Sequence, residues 1–378
     1  MARKLKWDKL LFTATLLLVC ASVVMVYSAS AVVAMEKFNN PYLWLFKQLT
    51  WALVGLMLVP LVIRIDYRTY RQPGVIWTAL GLVALGLIVV LFGREVNGAR
   101  RWLGLYGVGV QPSEVAKLAV IFFCAAILER RMDRVDDLHS LLPVGAVVGS
   151  LVALILLQPD LGTAVSVLLI AAAMVFAAGI SYRYVFGLVL LSLPAMYVLL
   201  MGADYRRRRI LAFLDPWDDP LGNGFQIIQS LIAVGTGGVF GRGLMAGVQK
   251  LFYLPEPHTD FIFAVIGEEL GLVGSTVIVA CFCVIAWRGL RTALRAPDRF
   301  GTFLCIGITT MIAVQALINI SVVIGLMPTK GIPLPFVSYG GSSLLINLIA
   351  VGILLNVSQH ASAGHIVTAA LEPTTADA

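Results

Sequence analysis

The sequence predicts an all-α polytopic integral membrane protein of about ten transmembrane helices. Three observations carry that reading. Of its 378 residues, 59% are hydrophobic and only 13% are charged, whereas a soluble domain has roughly 45–50% apolar and about 25% charged residues. Apolar runs near the ~20 residues needed to cross a bilayer recur along the chain. The basic residues between those runs are distributed unevenly, which is an orientation signal.

The chain opens with a basic segment, residues 1–9, carrying Arg3, Lys4, Lys6 and Lys9. The first apolar run, about 10–34, is long enough to span, so it reads as a retained signal-anchor. Further runs follow at about 43–63, 75–92, 114–128, 141–157, 162–179, 184–201, 261–287, 301–326 and 341–357. Ten is an even number, so both termini share a side. With the N-terminus cytoplasmic, the inner segments carry fifteen basic residues. They are Arg3, Lys4, Lys6, Lys9, Arg64, Arg68, Arg71, Arg130, Arg131, Arg134, Arg183, Arg288, Arg291, Arg295 and Arg299. The short outer loops carry five: Lys37, Arg94, Arg100, Arg101 and Lys330. This places both termini in the cytoplasm and the long loop 202–260, between the seventh and eighth runs, outside. The net charge of +7 therefore reads as membrane orientation. No basic stripe interleaved with aromatics points to nucleic acid. Residues 10–357 read as one domain. The tail 358–378 is polar and rich in small residues, and disorder is expected there.

The loop 202–260 is too long for a passive connector. Its Arg206–Arg209 run reads as a solvated or headgroup-binding patch. Phe225, Ile228, Leu231 and Ile232 at helical spacing predict a short amphipathic helix in the interface. The glycines from Gly235 to Gly247 permit close backbone approach. Cys20, Cys124, Cys281, Cys283 and Cys305 all lie in apolar runs and read as small buried residues. Cys281 and Cys283 have no His or carboxylate nearby to complete a metal site.

The unusual polar clusters gather on the outer side. They are 97–102, 111–117, 158–163, the end of the long loop at Asp260, and 328–343, which suggests one outward-facing site. Asp260 follows Pro255-Glu256-Pro257-His258-Thr259, and a long apolar helix is expected from about Thr259. The helix dipole there favours an ionised carboxylate, which would serve either as a cap or as a proton acceptor. Lys117 lies one turn beyond Glu114, so the two share a helix face. An ionisable residue inside a span is a functional candidate, and a structural pair is the alternative. Asp160 opens the sixth run as a candidate cap. Glu268 and Glu269 lie two turns into the eighth run, and His258 is either a proton shuttle or a local hydrogen-bonding residue.

Five motifs together resemble the SEDS family (shape, elongation, division and sporulation proteins) over about residues 10–357. They are Gly98-Ala99-Arg100-Arg101-Trp102-Leu103, Gln111-Pro112-Ser113-Glu114 with Lys117, Gln158-Pro159-Asp160-Leu161-Gly162-Thr163, Leu254 through Phe263, and Pro333 through Ser343. Pro328-Thr329-Lys330-Gly331, Gln249-Lys250-Leu251 and Gly267-Glu268-Glu269-Leu270 look more like the division branch than the elongation branch. The resemblance implies a peptidoglycan glycosyltransferase that polymerises lipid II on the outer face of the bacterial plasma membrane. It also implies a class B penicillin-binding protein as transpeptidase partner, within a larger division assembly, and Asp260 as the essential carboxylate. An inverting attack by a sugar hydroxyl needs a general base, and a pyrophosphate leaving group needs positive charge. Lys117, Arg100, Arg101, Lys330 or a divalent cation, Mg or Mn, are candidates for that charge. Glu114, Asp160, Glu256, His258, Thr259, Ser338, Ser342 and Ser343 are further substrate-binding candidates. The rival readings are a flippase for the same lipid and a non-catalytic scaffold.

Overall fold

A computed structural model describes residues 7–93, 95, 99–105, 108–132, 138–202 and 204–371. Arg3, Lys4, Lys6, Arg94, Asn97, Gly98, Arg134 and the tail beyond Leu371 lie outside the described residues. Each of the ten apolar runs coincides with a helix. These are α1 (Lys9–Phe38), α2 (Leu43–Arg64), α3 (Pro73–Leu91), α4 (Pro112–Arg131), α5 (Leu138–Leu157), α6 (Leu161–Ala177), α7 (Tyr182–Met201), α10 (Ile262–Leu294), α11 (Arg299–Val323) and α12 (Gly341–Leu371). Two shorter helices, α8 (Asp204–Leu214) and α9 (Phe225–Thr236), occupy the long segment between α7 and α10. A hairpin of β1 (Leu103–Leu105) and β2 (Val108–Val110) leads into α4. Among the described residues, α1, α2, α3, α5, α10, α11 and α12 are long and apolar enough to cross a membrane. At 17 residues, α6 is shorter. α4 carries five charges but is buried almost throughout, packed by α3, α5, α6 and α11.

Local chemistry sets the helix starts. Asp8 caps α1 by accepting from the Leu10 and Leu11 amides, and Asp298 caps α11 by accepting from Gly301. Pro73 and Pro112 occupy first turns, where a missing N–H costs nothing.

The polar groups sort to two ends of the bundle. At one end Arg288 pairs with Asp8 at 2.6 Å, Arg68 with Asp298 at 3.1 Å and Arg71 with Glu129 at 3.0 Å. The Tyr67 amide donates to Asn356 there, at 3.0 Å. This end collects the residues that the charge count assigns to the inner side. The opposite end holds 99–105, 158–163, α8, α9 and the segments before α10 and α12.

Besides Cys20 and Cys283, which are exposed where burial was expected, three expectations need correction. The first concerns α9, which forms where expected but does not lie free in an interface. It packs on α10 and α11. Its buried face is Ile227, Ile228, Ser230 and Ala233, with the Ser230 hydroxyl donating to Val323 O at 2.7 Å. Leu231 stays 42% exposed. The second concerns α10, which is not continuous but breaks at Gly271 (φ 66°, ψ −161°). The glycine-rich segment after α9 satisfies the break. Leu272 and Val273 donate to Gly238 O and Val239 O, while Arg242 and Gly243 donate to Glu268 O and Glu269 O. Unpaired backbone groups inside a membrane cost several kcal/mol each, so this pairing is what permits the break. A Cβ on Gly237 would sit 1.9 Å from Gly267 O, so the approach requires glycine. The third concerns the tail. α12 continues to Leu371 instead of ending at 357. Ser358 and Ala361 are buried against the bundle, which packs the first turn of the extension.

Candidate functional site

The end opposite the Asp8–Arg288 pair carries a cleft of 890 Å³. Asp260, Glu256, Asp160, Arg101, Arg206, Arg209 and Lys330 all line it. The cleft therefore joins the segments before α4, α6, α10 and α12 to helix α8.

Asp260 is placed by its backbone. Three successive carbonyls each accept a hydrogen bond from a different part of the chain. Tyr339 N donates to His258 O at 2.9 Å, Ser338 Oγ to Thr259 O at 2.6 Å, and Asn319 Nδ2 to Asp260 O at 2.8 Å. Asn319 also donates to Ile332 O at 2.8 Å, which ties the Lys330–Gly331 strand beside the carboxylate. A Cβ on Gly331 would lie 3.0 Å from Asp260 Oδ2, so the strand passes within contact distance of the acid. Pro255 and Pro257 flank Glu256, whose φ of 50° is uncommon outside glycine and marks a constrained turn.

The expected dipole effect on Asp260 does not operate. α10 begins at Ile262 with Phe261 in the cap position, and no side chain caps it. Burial instead pushes the Asp260 carboxyl up to about 7, and Glu256 adds to the rise. Arg209 and Arg101 pull it back only in part. A base with a pKa near the working pH combines availability with driving force.

The basic side chains come from different elements. Arg101 donates to Gln158 O at 3.2 Å and to Pro159 O at 2.5 Å, fixing it at the mouth of α6. Arg209 of α8 donates to Thr329 O at 3.0 Å. Burial lowers the pKa of the Lys330 ammonium. Asp160 is the cap of α6, accepting from the Thr163 amide and hydroxyl and from Gln111 Nε2, and it lines the cleft as well.

Other candidates lie elsewhere. Lys117 is fully buried and bonded to Glu114 at 2.8 Å, within the core of α4 and away from the cleft lining. Arg100 donates to Leu91 O, a carbonyl left over at the end of α3. His258 packs between Trp44, at 4.6 Å between ring centroids, and Tyr339, at 5.7 Å, and burial lowers its pKa to about 4. It is neutral at pH 7 and absent from the lining. Thr259 donates to Glu256 O within its own turn. Ser338 is a scaffold group, also accepting from Leu334 N. Ser342 is buried, and Ser343 accepts from Asn347 on α12. Glu268 and Glu269 are buried anchors. Glu268 accepts from the Val248 and Gln249 amides, and Glu269 binds Lys250 at 2.6 Å and Ser28 at 2.7 Å.

Sequence reasoning missed Arg209 and Asn319 as parts of the site. Arg209 was indistinguishable within a run of four arginines. Asn319 carries a signal, an amide one turn after Gln315 in an otherwise apolar run. Asn319→Ala should strip one buried carbonyl, Ile332 O, and one part-buried carbonyl, Asp260 O, of this donor, at about 1–3 kcal/mol for the buried one and less for the other. The expected result is a lower unfolding temperature and a misplaced Asp260, read by thermal unfolding alongside the rate of reaction.

Residues 8–363 match the family model described as cell cycle protein, FtsW/RodA/SpoVE. A probable peptidoglycan glycosyltransferase FtsW of Geobacter metallireducens is 48% identical over 356 residues, covering 93% of this chain and 95% of that protein. Stage V sporulation protein E of Bacillus subtilis is 45% identical over 364 residues, covering 95% and 98%. Among solved structures, a chain of a peptidoglycan synthase complex that coordinates polymerization and crosslinking superposes with a TM-score of 0.77. It is 33% identical, over 94% of this chain and 98% of its own.

Proposed function

The chain belongs to the FtsW/RodA/SpoVE family of cell cycle proteins, and from that premise we propose that it is the peptidoglycan glycosyltransferase of cell division, polymerising lipid II at the outer face of the plasma membrane. The observation that carries this is the cleft, where the Asp260 carboxylate shares one lining with basic side chains from three separate segments. In the reaction a sugar hydroxyl of one substrate attacks the anomeric carbon of the other. Its proton passes to the Asp260 carboxylate while the bond from that carbon to the pyrophosphate oxygen breaks. Arg101, Arg209 and Lys330 meet the charge that develops on the departing pyrophosphate. Asp160 is committed to its cap, and Glu256 holds the Asp260 proton affinity up. Among the described residues, no three His, Cys, Asp or Glu side chains form a metal-holding group. A Mg or Mn ion would therefore have to be held mainly by substrate oxygens, with Glu256 the cleft carboxylate not used as the base, and would supply neutralisation of leaving-group charge.

The positive-inside count supports placing the cleft on the outer side of the membrane, with both termini in the cytoplasm; a place at the septum of a bacterial plasma membrane follows only from the proposed division role. The related synthase complex supports a class B penicillin-binding protein as the crosslinking partner, alongside other division proteins. The cleft opens at one end of the bundle, whereas a carrier must open alternately to both sides.

The test is polymerisation of lipid II by purified protein in detergent, with and without its transpeptidase partner. Glycan strands are expected. Folded protein that makes no polymer in the presence of its partner would favour a flippase or scaffold, since flipping has no meaning in a micelle.

A further inference from the structure

At the end of the bundle opposite the catalytic cleft lies a second cavity, of 640 Å³, that the glycosyl transfer does not use. It is lined by the start of α1, by one face of the last turns of α10, and by Ser358 and Ala361 of α12. Lys9, Arg288, Arg291 and Arg295 contribute four positive charges, and Asp8 contributes one negative charge. Asp8 is already engaged. Its carboxylate caps α1 and binds Arg288 at 2.6 Å. Elsewhere at this end arginines are neutralised by neighbours, as Arg68 is by Asp298 and Arg71 by Glu129. Arg291, Arg295 and Lys9 have no carboxylate partner among the described residues. The spacing of 288, 291 and 295 keeps the arginines on one helix face.

The rim of this cavity is apolar. Trp7 is 38% exposed and Leu10 46%, and outside the lining Trp287, 55% exposed, has its ring centre 5.9 Å from the Arg291 guanidinium. Tryptophan prefers the headgroup level of a bilayer. A concave site with surplus positive charge, an apolar rim and tryptophans at the ends of membrane helices matches a particular ligand chemistry. That chemistry is a phosphodiester headgroup with its acyl chains against the bundle. A soluble acidic peptide would gain the charge but leave the rim exposed.

We infer that the cavity between the start of α1 and the end of α10 binds the headgroup of an anionic phospholipid, with Arg291 and Arg295 as its principal contacts. Charges of this kind contribute about 1 kcal/mol each near a membrane surface. Removing two should weaken binding roughly 30-fold. The site joins α1 to α10, so occupancy stabilises the fold from the end remote from the chemistry.

The experiment uses delipidated, detergent-purified full-length protein. Dioleoyl phosphatidylglycerol, dioleoyl phosphatidylcholine or inorganic phosphate is titrated in, while unfolding temperature and bound lipid are followed by thermal unfolding and native mass spectrometry. Phosphatidylglycerol should raise the unfolding temperature saturably with wild type. The Arg291→Gln/Arg295→Gln variant should require roughly 30-fold more, and Arg291→Lys/Arg295→Lys should recover most of the effect. Equal responses to phosphatidylglycerol and phosphatidylcholine would overturn the proposal. So would equal protection by free phosphate, or an unchanged response in the Gln variant. Should that variant fail to fold, wild type alone decides. Its response to phosphatidylglycerol should shrink between low and high salt, and a salt-independent response would refute the site.

Discussion

Asp260→Asn should abolish glycan polymerisation while leaving the protein folded. The amide keeps the size of the carboxylate but cannot accept the hydroxyl proton. Losing a general base costs roughly 10²–10⁴ in rate. No helix cap is lost with it, because α10 starts beyond Asp260 and uses no side-chain cap. The Asp260 carbonyl still receives the Asn319 hydrogen bond. Burial also disfavours the ionised carboxylate in the folded state, since its pKa rises from 3.8 to about 7. Stability is therefore lost as pH rises from about 3.8 to 7, the whole cost is present above 7, and the neutral amide removes it. The Asn variant should unfold at the wild-type temperature or higher at pH 8. Asp260→Glu should be poor as well, because one added methylene displaces the carboxylate by about 1 Å. The readout is glycan yield from lipid II at equal concentrations of folded protein.

Lys117→Met should be strongly destabilising. Lys117 and Glu114 are bonded to each other at 2.8 Å in the core of α4, with side-chain exposures of 0% and 4%. Removing one partner of a buried pair leaves an uncompensated charge, at a cost of about 3–5 kcal/mol. The second carboxylate oxygen of Glu114 already lacks a hydrogen-bond partner among the described residues, which deepens the penalty. Lys117→Met with Glu114→Gln should recover most of that loss, because the charge is then gone altogether. Thermal unfolding of the two variants separates the roles. A folded double variant that polymerises at the wild-type rate makes the pair structural. A folded double variant without activity would return Lys117 to the substrate.

The ten helices were legible because hydropathy over ~20 residues records removal from water directly. The site was legible where polar residues broke that rule, as at Asp160, Asp260 and Lys330. What stayed hidden was depth and partnership. Lys117 and Lys330 look alike as lone cations near the outer ends of runs. One is sealed against its own helix neighbour and the other lines the cleft. Arg209 could not be singled out from Arg206, Arg207 and Arg208, because only the fold of α8 decides which of them reaches Thr329. The break in α10 depends on a positive φ at Gly271 and on pairing with residues some thirty positions earlier, and neither is a local property of the run. The start of α10 was misplaced for a related reason. The hydrogen bonds of 258–260 go to Tyr339, Ser338 and Asn319 instead of into a helix.

The central claim is that the Asp260 carboxylate is the base, and the pH dependence of wild-type polymerisation tests it most directly. The active form is the ionised one. With its pKa raised to about 7, the rate should climb about tenfold per pH unit below 7 and level off above it. His258, held near 4, stays neutral across that range and adds no inflection. A profile of kcat/KM, measured from pH 5.5 to 8.5 at lipid II well below saturation so that it reports the free enzyme, should show that single rise. A flat profile, or a rate that falls as pH increases through 7, would contradict the account.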